Sequence, residues 1–206
     1  MAKTSGSSTS RGNGGLPQGD SSYKGKIGKL EPLSNISSPQ VYKAVKESIS
    51  RYHSVLGVRQ KDIKLGSLSA GVGGVHVTTG TGQSKQVVLN KKLFNGSKKE
   101  IEGWANAGYK SGHLTKTNKP VAHIVTHELA HATWNSNLSS PNAKAAGKNI
   151  NSLYKKWRQD KGKSGYGKYA TTNVSEFWAE VSTKAVHGKG DKYTRQVKGI
   201  IKKYKL

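Results

Sequence analysis

The pentapeptide His127-Glu128-Leu129-Ala130-His131 sets two imidazoles four residues apart, with a carboxylate beside the first. On a helix, residues i and i+4 stack on one face, so both imidazoles can grip a single ion. Glu128 sits one step round, where its carboxylate can reach a water on that ion without displacing a ligand. Metal-assisted hydrolysis needs this division. Zinc lowers the pKa of a bound water to about 7, and a neighbouring carboxylate takes its proton as it attacks a polarised carbonyl. In a chain of this composition the pattern arises by chance with a probability of about 1%. It falls in Val121 to Trp134, the most apolar helical stretch of the chain. Buried His and Glu there are costly unless a metal satisfies them. The expected cofactor is therefore Zn2+, with His127 and His131 as ligands and Glu128 as general base.

Catalytic zinc takes a third protein ligand and keeps one position open. The chain has no Cys, so that ligand must be another His or a carboxylate, and Asp plus Glu number only 11. Two of these, Glu176 and Glu180, lie one turn apart on an otherwise apolar helix with Phe177, Trp178 and Val181. Glu176 is the expected third ligand. Glu180 is expected to accept a hydrogen bond that orients a ligating imidazole, and Asn173, which caps this helix, joins the supporting residues. His123 lies one turn before His127 but about 80° from His131 around the axis, a poor geometry for one tetrahedral ion. It reads as a packed or substrate-side histidine. His53, His76, His113 and His187 sit in no local motif and read as ordinary.

Positioning these groups falls to an α+β arrangement with a helix-dominated second half. Ser38-Pro39 opens a helix whose Val41, Val45, Ile49, Tyr52 and Val55 recur at helical spacing until Gly57. Period-two patterns at 74–79 and 85–90 predict two strands, with Gly80-Thr81-Gly82 near the turn. Ser97 to Gly108 reads as a weaker helix. The helix carrying the pentapeptide follows Pro120. Another helix runs from about Ala143 to Arg158, then a Gly/Lys loop over 161–168. Asn173 starts a helix through His187, and a basic amphipathic helix follows Asp191. No internal repeat occurs. Residues 1–37, rich in Ser, Gly and Asn, read as a flexible or docking tail, because they offer too little apolar surface to offset ordering entropy. The expected organisation is thus the tail, a catalytic domain over 38–188, and a basic helix over 189–206.

The run Tyr169-Ala170-Thr171-Thr172-Asn173-Val174-Ser175-Glu176-Phe177-Trp178-Ala179-Glu180, downstream of the pentapeptide, resembles the signature of the anthrax lethal factor catalytic domain and its relatives. These are zincin metallopeptidases of the gluzincin kind, and related domains occur in bacteriophage-encoded proteins and bacterial toxins. The pattern of Tyr, then Thr-Asn, then Glu-Phe-aromatic-Ala-Glu is similar, as is the gap from His131 to Glu176. The resemblance spans roughly residues 70 to 187 and is strongest at the two short motifs. It implies a zincin-like fold and a zinc endopeptidase with Glu176 as third ligand. It also implies Tyr169 as the hydroxyl donor to the developing oxyanion. Ala130 stands where many relatives carry Gly, and Trp178 replaces the more usual Phe.

The charge is +24, from 35 Lys and Arg against those 11 acids. Such a surplus favours nucleic acid, anionic surfaces or acidic protein partners. The expected partners are a protein or peptide substrate, non-specific nucleic acid through the basic surface, and phage capsid or tail proteins through the N-terminal tail. A virion structural or DNA-associated protein that retains a zincin fold is the competing reading. No stretch approaches the roughly 20 apolar residues of a membrane span, and the first residues lack the apolar core of a secretory signal. A cytoplasmic or virion-associated protein is expected, delivered into a host cell if carried in a particle.

Overall fold

The computed structural model describes residues 23, 25–59, 62–79, 84–135, 140–160 and 165–206. The fold is α+β, mostly helical, with one small mixed sheet. Among the described residues no helix is long and apolar enough to cross a membrane.

The sheet has four strands: β1 (Glu31–Pro32), β2 (Ile63–Gly66), β3 (Gly74–Thr78) and β4 (Ser84–Asn90). Their spatial order is β1-β2-β4-β3, with β2 and β4 parallel and the other two pairs antiparallel. β3 therefore forms an edge. The period-two segments are β3 and β4 as expected, whereas β1 and β2 had no sequence signal. The expected tail boundary at 37 moves accordingly. Glu31–Pro32 pairs with β2, the Glu31 carboxylate meets Lys91 Nζ at 2.6 Å, and the Tyr23 hydroxyl accepts from Ser69 N–H at 2.9 Å. Ile36 joins the buried core and Leu33 packs against it, so this stretch is held by apolar contacts as well as by backbone pairing and polar contacts. Residues 1–22 and 24, the turn at 80–82 and positions 161–164 of the Gly/Lys loop lie outside the described residues.

Six of the seven α-helices among the described residues follow the sequence signals closely, and the short one at Lys91–Phe94 had none. Ser38 caps α1 (Pro39–Leu56), and Gly57 ends it with a φ of 74°. α2 (Lys91–Phe94) is a single turn. Ser97 and Glu100 close a reciprocal capping box on α3 (Lys98–Lys110). α4 (Pro120–Asn135) is buried on every side from Val121 onward, which explains its continuous apolar character. α5 (Pro141–Gln159), α6 (Val174–His187) and α7 (Lys192–Tyr204) complete the chain.

α4 is the axis of the core. It packs on α1, α3, α6 and the β3–β4 pair. Trp178 Nε1–H of α6 donates to the Ala130 carbonyl at 2.9 Å, and the Trp134 and Trp178 rings lie 4.9 Å apart. Across the other side, the Tyr52 hydroxyl of α1 meets Thr133 Oγ1 at 2.5 Å. Trp134, Trp157 and Trp178 are all fully enclosed. Two rigid helices, α4 and α6, are thereby locked face to face, and both carry the candidate ligands.

Candidate metal centre

The i, i+4 spacing on α4 brings His127 and His131 together as expected, with Nε2 atoms 3.2 Å apart. α6 contributes Glu176, whose Oε2 lies 3.1 Å from His127 Nε2 and 3.4 Å from His131 Nε2. A tetrahedral zinc ion with bonds of about 2.0–2.1 Å holds its ligand atoms about 3.3 Å apart. The triangle of two imidazole nitrogens and one carboxylate oxygen thus has the right size and chemistry for a metal ion, and all three residues are buried.

Glu180, one turn beyond Glu176, is fully buried and takes three donors. Its Oε1 accepts from His127 Nδ1 at 3.0 Å and from His123 Nε2 at 3.2 Å, and its Oε2 accepts from Thr115 N–H at 2.6 Å. The bond to His127 Nδ1 fixes that ring's tautomer and turns its Nε2 toward the triangle. On His131 the corresponding bond joins Nδ1 to Ser175 Oγ at 3.0 Å. The Asn173 side chain accepts from the backbone N–H of Glu176 at 2.9 Å, so it caps the turn that presents the candidate carboxylate.

The electrostatics follow from these contacts. Burial pushes the Glu176 carboxyl up, but the hydrogen bonds and charges of His127 and His131 outweigh it and hold the group at about 2. Glu180 is also pushed up by burial, yet His123 and His127 bring it well below the usual carboxylate range. Burial pulls His127 down, while the hydrogen bonds it donates to Glu176 and Glu180 carry it well above 6.5.

Glu128 and Tyr169 border a cleft of about 560 Å³ together with His127, Val75, Trp104 and Ile124. Glu128 is buried against β3, where an added Cβ on Gly74 meets Glu128 Cγ at 2.8 Å. Only glycine lets this edge strand approach the carboxylate so closely. Tyr169 stands on a short 3-10 turn, Lys168–Thr171, with its ring stacked on His127 at 5.6 Å. That turn is hydrogen-bonded to the 112–115 segment through Lys168 N–H to Gly112 O (2.8 Å) and Tyr169 N–H to His113 O (2.9 Å). Gly167 N–H also donates to Thr115 Oγ1 at 2.9 Å. Thr115 thus touches both Glu180 and the Tyr169 turn.

His123 is absent from the triangle, as its angular offset predicts, but forms a second buried group with His127 and Glu180. It is packed and also lines the cleft. Its Nδ1 meets the Tyr109 hydroxyl at 3.3 Å. His113, read as ordinary, instead lies on the cleft with its ring 4.9 Å from Tyr169. His76 and His187 are buried structural histidines: His76 bonds Ser84 and Asn135, and His187 bonds Thr126. Ser175 and Thr115 escaped the sequence reading. Ser175 precedes the candidate ligand Glu176 and could have been found from that adjacency, whereas Thr115 meets Glu180 through a backbone N–H that no side-chain pattern records.

Comparison with protein-family models, with curated proteins and with solved structures gave no match.

Proposed function

We propose that the chain is a zinc-dependent endopeptidase of the gluzincin kind, with a zincin-like catalytic domain related to that of anthrax lethal factor. His127, His131 and Glu176 hold the ion in this reading. The observation that supports it best is the triangle at tetrahedral spacing, backed by a fully satisfied Glu180. Bound zinc supplies Lewis acidity, polarising a carbonyl and bringing the pKa of water to about 7. Glu128 takes the proton of the attacking water and passes it to the leaving amine. Tyr169, stacked on His127 at the same cleft, donates its hydroxyl to the oxyanion. An extended peptide runs along the β3 edge, pairing with its backbone while apolar side chains meet Val75, Trp104 and Ile124.

Metal analysis and peptide cleavage by the wild type and Glu128→Gln test the proposal. Zinc at one per chain in both proteins is expected, with cleavage reduced at least about a hundredfold in the variant. Zinc in both with equal cleavage, or no cleavage by either, refutes the peptidase.

A further inference from the structure

The sequence scatters its basic residues, but the fold gathers them. α5 carries Lys144, Lys148, Lys155, Lys156 and Arg158 with no acidic residue, and α7 carries Lys192, Arg195, Lys198, Lys202 and Lys203 with none. By contrast α1 mixes Lys43, Lys46 and Arg51 with Glu47, and α3 mixes Lys98, Lys99 and Lys110 with Glu100 and Glu102. α5 and α7 lie antiparallel. Asp160 at the end of α5 accepts from the Tyr193 hydroxyl at the start of α7 (2.6 Å), and Asn149 donates to the Tyr204 hydroxyl near its end (2.9 Å). Both helices turn their apolar stripes inward, through Ile150, Leu153 and Trp157 on α5 and Val197 and Ile201 on α7. All ten cationic side chains therefore point to solvent. Asp160 pairs with Lys192 at one end of the face.

Between the helices runs a groove of about 420 Å³, lined by apolar Leu153 and Ile200 as well as by Asn149, Ser152, Lys156, Gln196 and Lys203. Ammonium groups here stand beside amide and hydroxyl donors. That combination suits phosphate oxygens, which take both charge and directed hydrogen bonds. The 19 residues of α5 give a face about 28 Å long, or about eight base-pair steps of duplex. No aromatic side chain is exposed along it among the described residues, so base stacking is not its mode. An anionic bilayer fits less well. Helices that lie on membranes insert Trp, Phe or Leu, and among the described residues the exposed large apolar side chain is Leu30, next to β1 and away from this face.

We infer that the α5–α7 face is a nucleic-acid-binding surface that grips the phosphate backbone of a duplex without reading its sequence. It is separate from the cleft: α6 packs on α4 with one side and on α5 and α7 with others. The hydrolytic centre and the polyanion surface can therefore be occupied together.

The test is fluorescence anisotropy of the full chain with mixed-sequence duplexes of about 20 base pairs, from about 50 to about 300 mM salt. The expected log affinity against log salt has a slope of about −4 or steeper, the same for unrelated sequences. Lys156→Gln with Lys203→Gln should weaken binding about five- to tenfold and reduce the slope by about 2. The charge-matched control, Lys43→Gln with Lys98→Gln on α1 and α3, should change affinity less than about twofold. Glu128→Gln should bind as the wild type does, whatever its peptidase activity. Equal losses in the two double variants would show a diffuse charge effect and overturn the assignment. Salt-insensitive binding, or capture by phosphatidylserine vesicles with none by duplex, would overturn it as well. All four lysines are exposed, so the variants should melt like the wild type, and a melt records that directly.

Discussion

Two buried groups could hold an ion, and they share His127: the triangle with His131 and Glu176, and the cluster with His123 and Glu180. Single residues separate them. In the triangle the atoms facing each other are His127 Nε2, His131 Nε2 and Glu176 Oε2, whereas Glu180 is already saturated by three donors. A carboxylate in that state orients imidazoles better than it accepts a metal. His131→Gln should therefore abolish stoichiometric zinc binding. His123→Gln should keep one zinc per chain, with affinity lowered less than about tenfold. Chelator competition measures both, and the reverse order would move the metal to the His123 group. Glu180→Gln is a sharper probe of the same network. The amide keeps the volume but turns one acceptor oxygen into an NH2 donor in a site built from donors, so either Thr115 N–H or an imidazole loses its acceptor. Zinc affinity should fall about 10- to 100-fold with unchanged stoichiometry.

At the level of elements, the Tyr169 turn depends on one close approach. An added Cβ on Gly167 falls 2.2 Å from His113 O and 2.4 Å from Leu114 C, both backbone atoms that cannot swing aside. Gly167→Ala should destabilise the fold by about 1–3 kcal/mol, the usual cost of overpacking. Under the proposed peptidase function the turn carries Tyr169 and not a ligand, so cleavage should fall at least about tenfold while zinc stays at one per chain. Parallel losses of metal and activity in titration and peptide assays would place the turn's importance elsewhere. The sequence discloses α4 and α6 readily, since one-turn spacings of His and Glu survive folding as shared faces. The pairs His127 with His131 and Glu176 with Glu180 are legible for the same reason, and the fold brings them together. β1 and β2 are two and four residues long, too short for a period to emerge. Apart from the Thr115 hydroxyl, the 112–115 segment meets the Tyr169 turn through carbonyls that every residue has, so that part of the pairing leaves no trace in residue type. The grouping of charge on α5 and α7 is equally hidden until packing decides which helix faces turn outward.

For the molecule as a whole, the metal-free site should be a pH-dependent part of stability, and zinc should alter that dependence. His127 has its pKa raised above 6.5 by Glu176 and Glu180 against the opposing pull of burial. Its contribution is complete below the unfolded value of 6.5 and is lost as pH rises through the higher folded value. Glu176, held at about 2 against an ordinary 4.5, contributes above 4.5 and is lost as pH falls toward about 2. The metal-free cluster is therefore most stabilising between about 4.5 and 6.5. Zinc takes the nitrogen that carries the His127 proton, so metal and proton compete. Affinity should rise up to about tenfold per pH unit while that proton must be displaced, with about one proton released per zinc. At a thousandfold excess over the dissociation constant, zinc stabilises by about 4 kcal/mol, and raising pH at fixed zinc increases that excess. The gap in Tm between zinc-loaded and chelator-treated protein should therefore widen from about pH 5 to about pH 8. Scanning calorimetry measures the gap, and titrations in buffers of different ionisation enthalpy count the protons. A constant gap with no proton release would mean that zinc binds away from His127, because an ion at that nitrogen cannot share it with a proton.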